Sequence, residues 1–251
     1  MAAANANSRP LKILYIHGYR QNTKMAREKS GAFRKMLKKK IECDFITAPH
    51  RVPPGNLGSA AWTQQEEAAK EEKAAETSAG DQGTAVTENP DDEGERGWWF
   101  SREDDYFKSD HVSDVSKGFD ESVNMIISAL EQNSYDGILG FSQGACLVSM
   151  LCLMQQQQGK NWFKFAMLFS GFRSRSSKHD VYYTAKCEIP SFHMYGETDK
   201  IIPEVMSEEL LPYFTNPSVG RHPGGHFVPA ASAQKKSYLT FLEEMNKLCL
   251  S

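Results

Sequence analysis

Gly140-Phe141-Ser142-Gln143-Gly144 reads G-x-S-x-G, and its flanks decide what it is. Before it, Tyr135-Asp136-Gly137-Ile138-Leu139 is apolar and strand-like. After it, Ala145-Cys146-Leu147-Val148-Ser149-Met150-Leu151 reads as a buried helix. Strand, sharp turn and helix make this pattern a nucleophile elbow, with Ser142 as the nucleophile. The serine backbone at such a turn is strained, and flanking glycines let strand and helix approach closely. The competing reading is an ordinary strand–helix turn with an unreactive serine. The chain must therefore also supply an acid and a histidine, in the order Ser, Asp, His.

Downstream, Pro190-Ser191-Phe192-His193-Met194-Tyr195-Gly196-Glu197-Thr198-Asp199 is an apolar strand ending in Gly-x-x-Asp. A helix with Pro203 in its first turn follows. Asp199 then falls in the loop at the carboxyl end of a strand, where open α/β sheets build their sites. It is expected to accept the Nδ1–H of the histidine, fixing its tautomer. Glu197 is the competing acid, and helix capping is the competing role for Asp199. Further on, Gly224-Gly225-His226-Phe227-Val228-Pro229 precedes an amphipathic helix in which Tyr238, Phe241, Leu242, Met245 and Leu248 recur at helical spacing. His226, in that glycine-rich loop, is the expected general base. His222 is its nearest rival, and His193, inside a strand, reads as a core histidine. Upstream, the first strand runs into His17-Gly18-Tyr19-Arg20-Gln21-Asn22. An oxyanion needs two backbone N–H donors; Tyr19 and Gln143 are the candidates, the latter at the positive end of the elbow helix. His17 is expected to organise its loop.

His17-Gly18-Tyr19-Arg20-Gln21, Gly97-Trp98-Trp99, Gly140 to Ala145, Gly196-Glu197-Thr198-Asp199 and Gly225-His226-Phe227-Val228-Pro229 together carry a resemblance. From about Pro10 to Leu248 the chain is similar to the family of small serine hydrolases named after fungal examples. The resemblance implies an α/β-hydrolase fold and serine esterase chemistry without a cofactor. It implies Ser142 as nucleophile, Asp199 as acid and His226 as base. Small carboxylic esters with an alkyl or acyl chain are the implied substrates. From about Gly58 to Glu95 the chain is longer and more acidic than the family's pattern.

With 251 residues the chain has room for one α/β domain and a full core. That domain is expected over residues 10–251, behind a flexible stretch at 1–9. Apolar content of 40% and a net charge of −3 do not suggest a nucleic-acid binder. Cys43, Cys146, Cys152, Cys187 and Cys249 are scattered, an odd count without metal-ligand spacing. They are expected to be reduced thiols of a cytoplasmic protein, with nuclear access open, and no metal site is expected. The start lacks the pattern of a secretory signal, no run reaches transmembrane length, and Cys249-Leu250-Ser251 is neither a prenylation box nor a peroxisomal signal. Stable membrane insertion is therefore not expected. Oligomeric state is left open.

Strands alternate with helices, the signature of a mostly parallel sheet. Strands are expected at Leu11–Ile16, Cys43–Thr47, Gly137–Phe141, Phe165–Phe169, Ser191–Tyr195 and about Ser218–Arg221. Helices are expected at Met25–Lys40, Val115–Asn133, Gln143–Gln156, Pro203–Phe214 and Ala233–Leu248. In the second, Phe119, Val123, Ile126, Ile127 and Leu130 form one apolar face. The run Gln155 to Gln158 reads as a frayed helix end. Residues 56–96, rich in Ala, Glu, Gly, Thr and Asp, read as an acidic surface insertion with a transient helix near Gln64–Thr77; a lid is the alternative. Trp98 and Trp99 are each candidates for the core or for a pocket wall beside Ser142, and Phe227 and Val228 are further pocket candidates. Arg20 and Arg173 could pin loops or bind a substrate anion. The chemistry expected is ester hydrolysis through an acyl-enzyme. An acyl thioesterase and a catalytically silent ligand-binding scaffold are the alternatives.

Overall fold

The computed structural model describes residues 9–54 and 94–250. Its strands are β1 (Leu11–Ile16), β2 (Ile41–Ile46), β3 (His50–Arg51), β4 (Arg96–Gly97), β5 (Gly137–Phe141), β6 (Phe165–Phe169), β7 (Ser191–Gly196) and β8 (Ser218–His222). Its α-helices are α1 (Thr23–Lys29), α2 (Gly31–Leu37), α3 (Phe119–Gln132), α4 (Gln143–Gln157), α5 (Glu204–Glu208) and α6 (Ser232–Leu250). Six strands form one sheet in the order β2-β1-β5-β6-β7-β8, parallel at every pairing. This is the α/β-hydrolase architecture expected. The short β3 and β4 pair antiparallel beside it. The acidic insertion expected over 56–96 lies outside the described residues except for Gly94, Glu95 and Arg96. Arg96 is already in β4, and its backbone bonds Arg20 and Gln21.

Alternation along the strands sends side chains to two opposite cores. Leu14, Ile16, Ile138, Ala166 and Leu168 face a cluster completed by α3, α4 and the Trp98–Phe107 segment. Ile13, Tyr15, Leu139, Phe141, Met167, Phe169 and Met194 face a second cluster completed by α1, α2 and α6. Helix α4 is buried continuously from Gln143 to Gln155, as its apolar run predicts.

Chain order reverses between β1 and β5. From β1 the chain steps outward to β2; from β5 it steps the other way through β6, β7 and β8. A crevice at the carboxyl ends of strands at such a switch point is the usual ligand site. Register aligns those ends: Ile16 lies opposite Gly140, Phe141 opposite Phe169, and Gly196 opposite His222. The loops after β1, β5, β6, β7 and β8 therefore emerge together.

Several element boundaries differ from the expectations. The helix expected at Met25–Lys40 is split at Ser30, whose hydroxyl donates to the Ala26 carbonyl at 2.7 Å, with Gly31 next in the chain. Gly118 has φ 82°, which no right-handed helix accepts, so α3 starts at Phe119 rather than Val115. The helix expected at Pro203–Phe214 shrinks to α5 and a 3₁₀ turn at Leu211–Tyr213, because Pro212 has no N–H to continue it. Leu248 is 41% exposed, so it leaves the apolar stripe of α6, whose fully buried part ends at Met245. Gln155 is not frayed. Its carboxamide donates to Phe163 O at 2.8 Å and accepts from Trp162 N at 2.7 Å and Phe163 N at 3.1 Å, closing the turn that leads into β6.

A Cβ on Gly144 would sit 2.2 Å from Ile16 O and 2.4 Å from His17 O, both backbone atoms that cannot give way. Gly144→Ala should destabilise the fold by about 3 kcal/mol. A Cβ on Gly31 meets nothing within 4 Å, so Gly31→Ala should be neutral or stabilise by about 0.5 kcal/mol. Urea denaturation of the two variants beside the parent checks the contrast.

Candidate active site

Ser142 joins β5 to α4 with φ 55° and ψ −120°, a conformation rare for a residue with a side chain. The turn persists because its surroundings hold it. Ser142 N–H donates to Phe169 O at 2.9 Å, and Ser142 O accepts from Cys146 N–H at 3.0 Å. A Cβ on Gly140 would lie 2.5 Å from the Ala145 Cα, so the strand and the helix touch where both G-x-S-x-G glycines stand. The strain aims the Ser142 hydroxyl away from its own backbone and into the crevice.

There Ser142 Oγ lies 2.9 Å from His226 Nε2, and His226 Nδ1 lies 2.7 Å from Asp199 Oδ2. The carboxylate is acceptor-only, so Nδ1 carries the proton and Nε2 accepts from the serine hydroxyl. The structure thus brings Ser142, His226 and Asp199 into one hydrogen-bonded chain. His226 also packs on the Phe141 ring, with centroids 4.7 Å apart. Asp199 Oδ1 accepts from Ile201 N–H at 2.9 Å and Ile202 N–H at 2.8 Å. Burial works against the Asp199 charge, but His226 and these two N–H groups outweigh it and hold the carboxyl below its ordinary value.

The loops carrying Asp199 and His226 are stitched to each other. Glu197 N–H donates to His222 O at 2.9 Å, Thr198 N–H to Gly224 O at 3.3 Å, and Thr198 Oγ1 to Pro223 O at 3.1 Å. Gly196 permits this contact: its Cβ would lie 2.2 Å from Gly224 O. Glu197, the rival acid, is exposed. His222, the rival base, is buried against Phe227 and lowered to about 4 by burial. His193 is a core histidine, bonded to Ser191 Oγ at 3.0 Å and pushed down to about 3 by burial.

The loop after β1 has its own organiser. His17 Nδ1–H donates to Gly18 O at 2.8 Å, and its Nε2 accepts from Ala48 N–H at 3.0 Å. Gly18 N–H donates to the Gln21 carboxamide at 3.2 Å, and Gln21 N–H returns to Gly18 O at 3.2 Å. Gln143 opens α4, so its N–H has no acceptor within the helix. Among the described residues, the N–H groups of Tyr19 and Gln143 make no backbone hydrogen bond.

Trp98 and Trp99 lie in the core. They are 0% and 1% exposed, so neither ring offers open surface. Trp98 Nε1–H donates to His17 O at 2.7 Å. The Gln143 side chain accepts from Trp98 N–H at 2.9 Å and donates to Trp99 O at 2.8 Å. This clamp between the elbow and the tryptophan pair has no signature in sequence spacing, since its partners lie about 45 residues apart. Phe107, which sequence reasoning missed, packs on Tyr19 at 5.3 Å and Trp99 at 5.1 Å. Phe227 stacks on His222 at 4.8 Å, and Val228 packs toward the α6 core. Arg20 pairs with Glu95, and Arg173 with Asp180 at 2.6 Å and over the Tyr183 ring. Both arginines therefore pin loops.

The clamp is testable. Gln143→Leu strands two buried backbone groups, and an unmet buried donor or acceptor costs about 1–3 kcal/mol. The variant should lose about 2–4 kcal/mol in urea denaturation, and Gln143→Glu, which buries a carboxylate against the Trp99 carbonyl, should lose at least as much.

Comparison with known proteins now bears on this geometry. The family described as "Serine hydrolase (FSH1)" matches residues 6–238. The protein named Esterase OVCA2 from Danio rerio is 44% identical over 239 residues, spanning 93% of this chain and 97% of that one. Among solved structures, Arabidopsis thaliana SOBER1 superposes with a TM-score of 0.53 at 15% identity, over 96% of this chain and 100% of that one. Zea mays acyl-protein thioesterase 2 gives 0.52 at 13% identity, over 97% of each chain. At such identities the two structures speak for the shared fold alone. The family match spans the elbow, the Asp199 loop and the His226 loop, and this chain belongs to the FSH1 serine hydrolase family.

Proposed function

We propose that this chain hydrolyses carboxylic esters with apolar alkyl or acyl chains, through Ser142, His226 and Asp199. The observation that carries the reading is the unbroken hydrogen-bond chain, 2.9 Å from Ser142 to His226 and 2.7 Å from His226 to Asp199. Ser142 Oγ attacks the ester carbonyl as His226 Nε2 takes its proton. Asp199 keeps Nδ1 protonated and stabilises the imidazolium. The N–H groups of Tyr19 and Gln143 receive the oxyanion, with the α4 N-terminus behind one of them. His226 returns its proton to the departing alcohol, leaving an acyl-enzyme. Water, deprotonated by His226, then attacks the acyl carbon. Collapse of the second tetrahedral intermediate frees the acid and restores Ser142.

The rest of the reading follows from composition and surroundings. Residues 10–251 act as one hydrolase domain on small-molecule esters, without a cofactor. Free thiols suit a cytoplasmic setting, with access to the nucleus. Among the described residues no helix is long and apolar enough to cross a membrane.

A fluorophosphonate probe should label the parent at Ser142 and leave Ser142→Ala unlabelled, with turnover of a p-nitrophenyl ester down on the order of 10⁴-fold or more. Labelling elsewhere, or undiminished turnover by Ser142→Ala, would sink the assignment. Matched oxygen esters and thioesters separate esterase from thioesterase. Asp199→Asn presents an amide where His226 needs an acceptor, and kcat should fall on the order of 10³- to 10⁴-fold.

A further inference from the structure

We propose that Ser170 is a positioning residue for the acid–base pair: its hydroxyl holds Oδ2 of Asp199 and fixes the plane in which that carboxylate meets His226. The inference rests on the Ser142–His226–Asp199 reading above and adds a fourth side chain to it.

Ser170 directly follows β6 and is fully buried. Its Oγ donates to Asp199 Oδ2 at 3.1 Å, the same oxygen that accepts His226 Nδ1–H at 2.7 Å. With Ile201 and Ile202 N–H on Oδ1, the carboxylate accepts from four donors. A carboxylate has about four acceptor sites, so this one is saturated and its plane is fixed. The Ser170 backbone is held as firmly. Its N–H donates to Met194 O at 2.8 Å, and the preceding carbonyl, of Phe169, accepts Ser142 N–H at 2.9 Å. One short segment thus touches both the nucleophile's amide and the acid's carboxylate.

Conformation argues that the hydroxyl, rather than the turn, is what this position supplies. Ser170 has φ 47°, in the left-handed region that glycine occupies most readily. A glycine stands next to it, at Gly171, and is not among the described glycines with positive φ. The chain therefore carries a side chain where the backbone would be easier without one.

The consequence is a direction. The Ser170 hydrogen bond draws off part of the negative charge that faces His226. Without it more of the carboxylate's charge bears on the imidazolium that forms as Ser142 gives up its proton. Among the described residues, Asp199 and His222 are titratable groups that bear on His226. His222 packs beside the pair from the end of β8, and burial keeps it neutral down to about pH 4.

The test uses Ser170→Ala and Ser170→Gly in the full chain, beside the parent. Ser170→Gly relieves the left-handed strain, so it reports on the hydroxyl even if Ser170→Ala fails to fold. kcat, KM and the pH profile of kcat/KM are measured with a p-nitrophenyl ester, and Ser142 labelling by the fluorophosphonate probe is timed. Both variants should lose about tenfold in kcat with little change in KM, the size expected for a hydrogen bond to a charged group. Their acidic limb should move up by about half a pH unit. Parent-like kcat and an unmoved limb in Ser170→Gly would overturn the proposal. So would a loss of kcat with the limb unmoved, which is what a purely structural role gives. A folded parent that the probe does not label would instead refute the underlying triad reading.

Discussion

Everything in the crevice depends on one close contact, the backbone of Gly144 lying against the carbonyls of Ile16 and His17. It sets the first turn of α4 directly beside the end of β1. That proximity lets a helix start one residue after a strand ends, at the cost of a left-handed Ser142. It also puts the positive end of α4 beside the loop that holds Tyr19. A side chain at position 144 would push helix and strand apart and separate Ser142 from every partner it has.

Around that contact the loops are rigid by mutual bonding rather than by their own conformation. The Asp199 loop hangs on the His226 loop through Glu197 and Thr198. The β1 loop closes on His17 and Gln21, and β4 fastens it from outside through Arg96. The Gln143 clamp ties the elbow to Trp98 and Trp99. Dipoles fixed in advance need no reorganisation when charge develops, which is the property a charge-separating reaction demands. The buried side chains of Ser142, His226, Asp199, Ser170 and Gln143 are all paired, so their desolvation is offset where they stand.

Much of this was legible along the chain because it depends on local pattern. The strands and α4 are apolar runs with clear ends, and Gly-x-Ser-x-Gly, Gly-x-x-Asp and Gly-His mark the loops at the strand ends. What went unread depends on side chains turning back on the backbone. Ser30 breaks a helix whose periodicity continues through it. Gln155 looks like part of a polar tail, yet it satisfies three backbone groups of a buried turn. Trp98 and Trp99 suit a pocket wall or a core equally well by composition, and only the packing of α3 and α4 around them decides for the core.

The sequence by itself determined the fold class and the strand ends at which Ser142, Asp199 and His226 emerge, because hydrophobic period and glycine placement act over a few residues. Tertiary structure decided which of the histidines and acids meet. Parallel register brings five strand ends together, and burial then separates His226, bonded at both nitrogens, from His222 and His193, which share its chemistry but not its partners. It also decided that Ser170 faces Asp199, a contact between residues 29 positions apart. Hydrogen bonds over such separations follow from the sheet's register, and no local pattern encodes them.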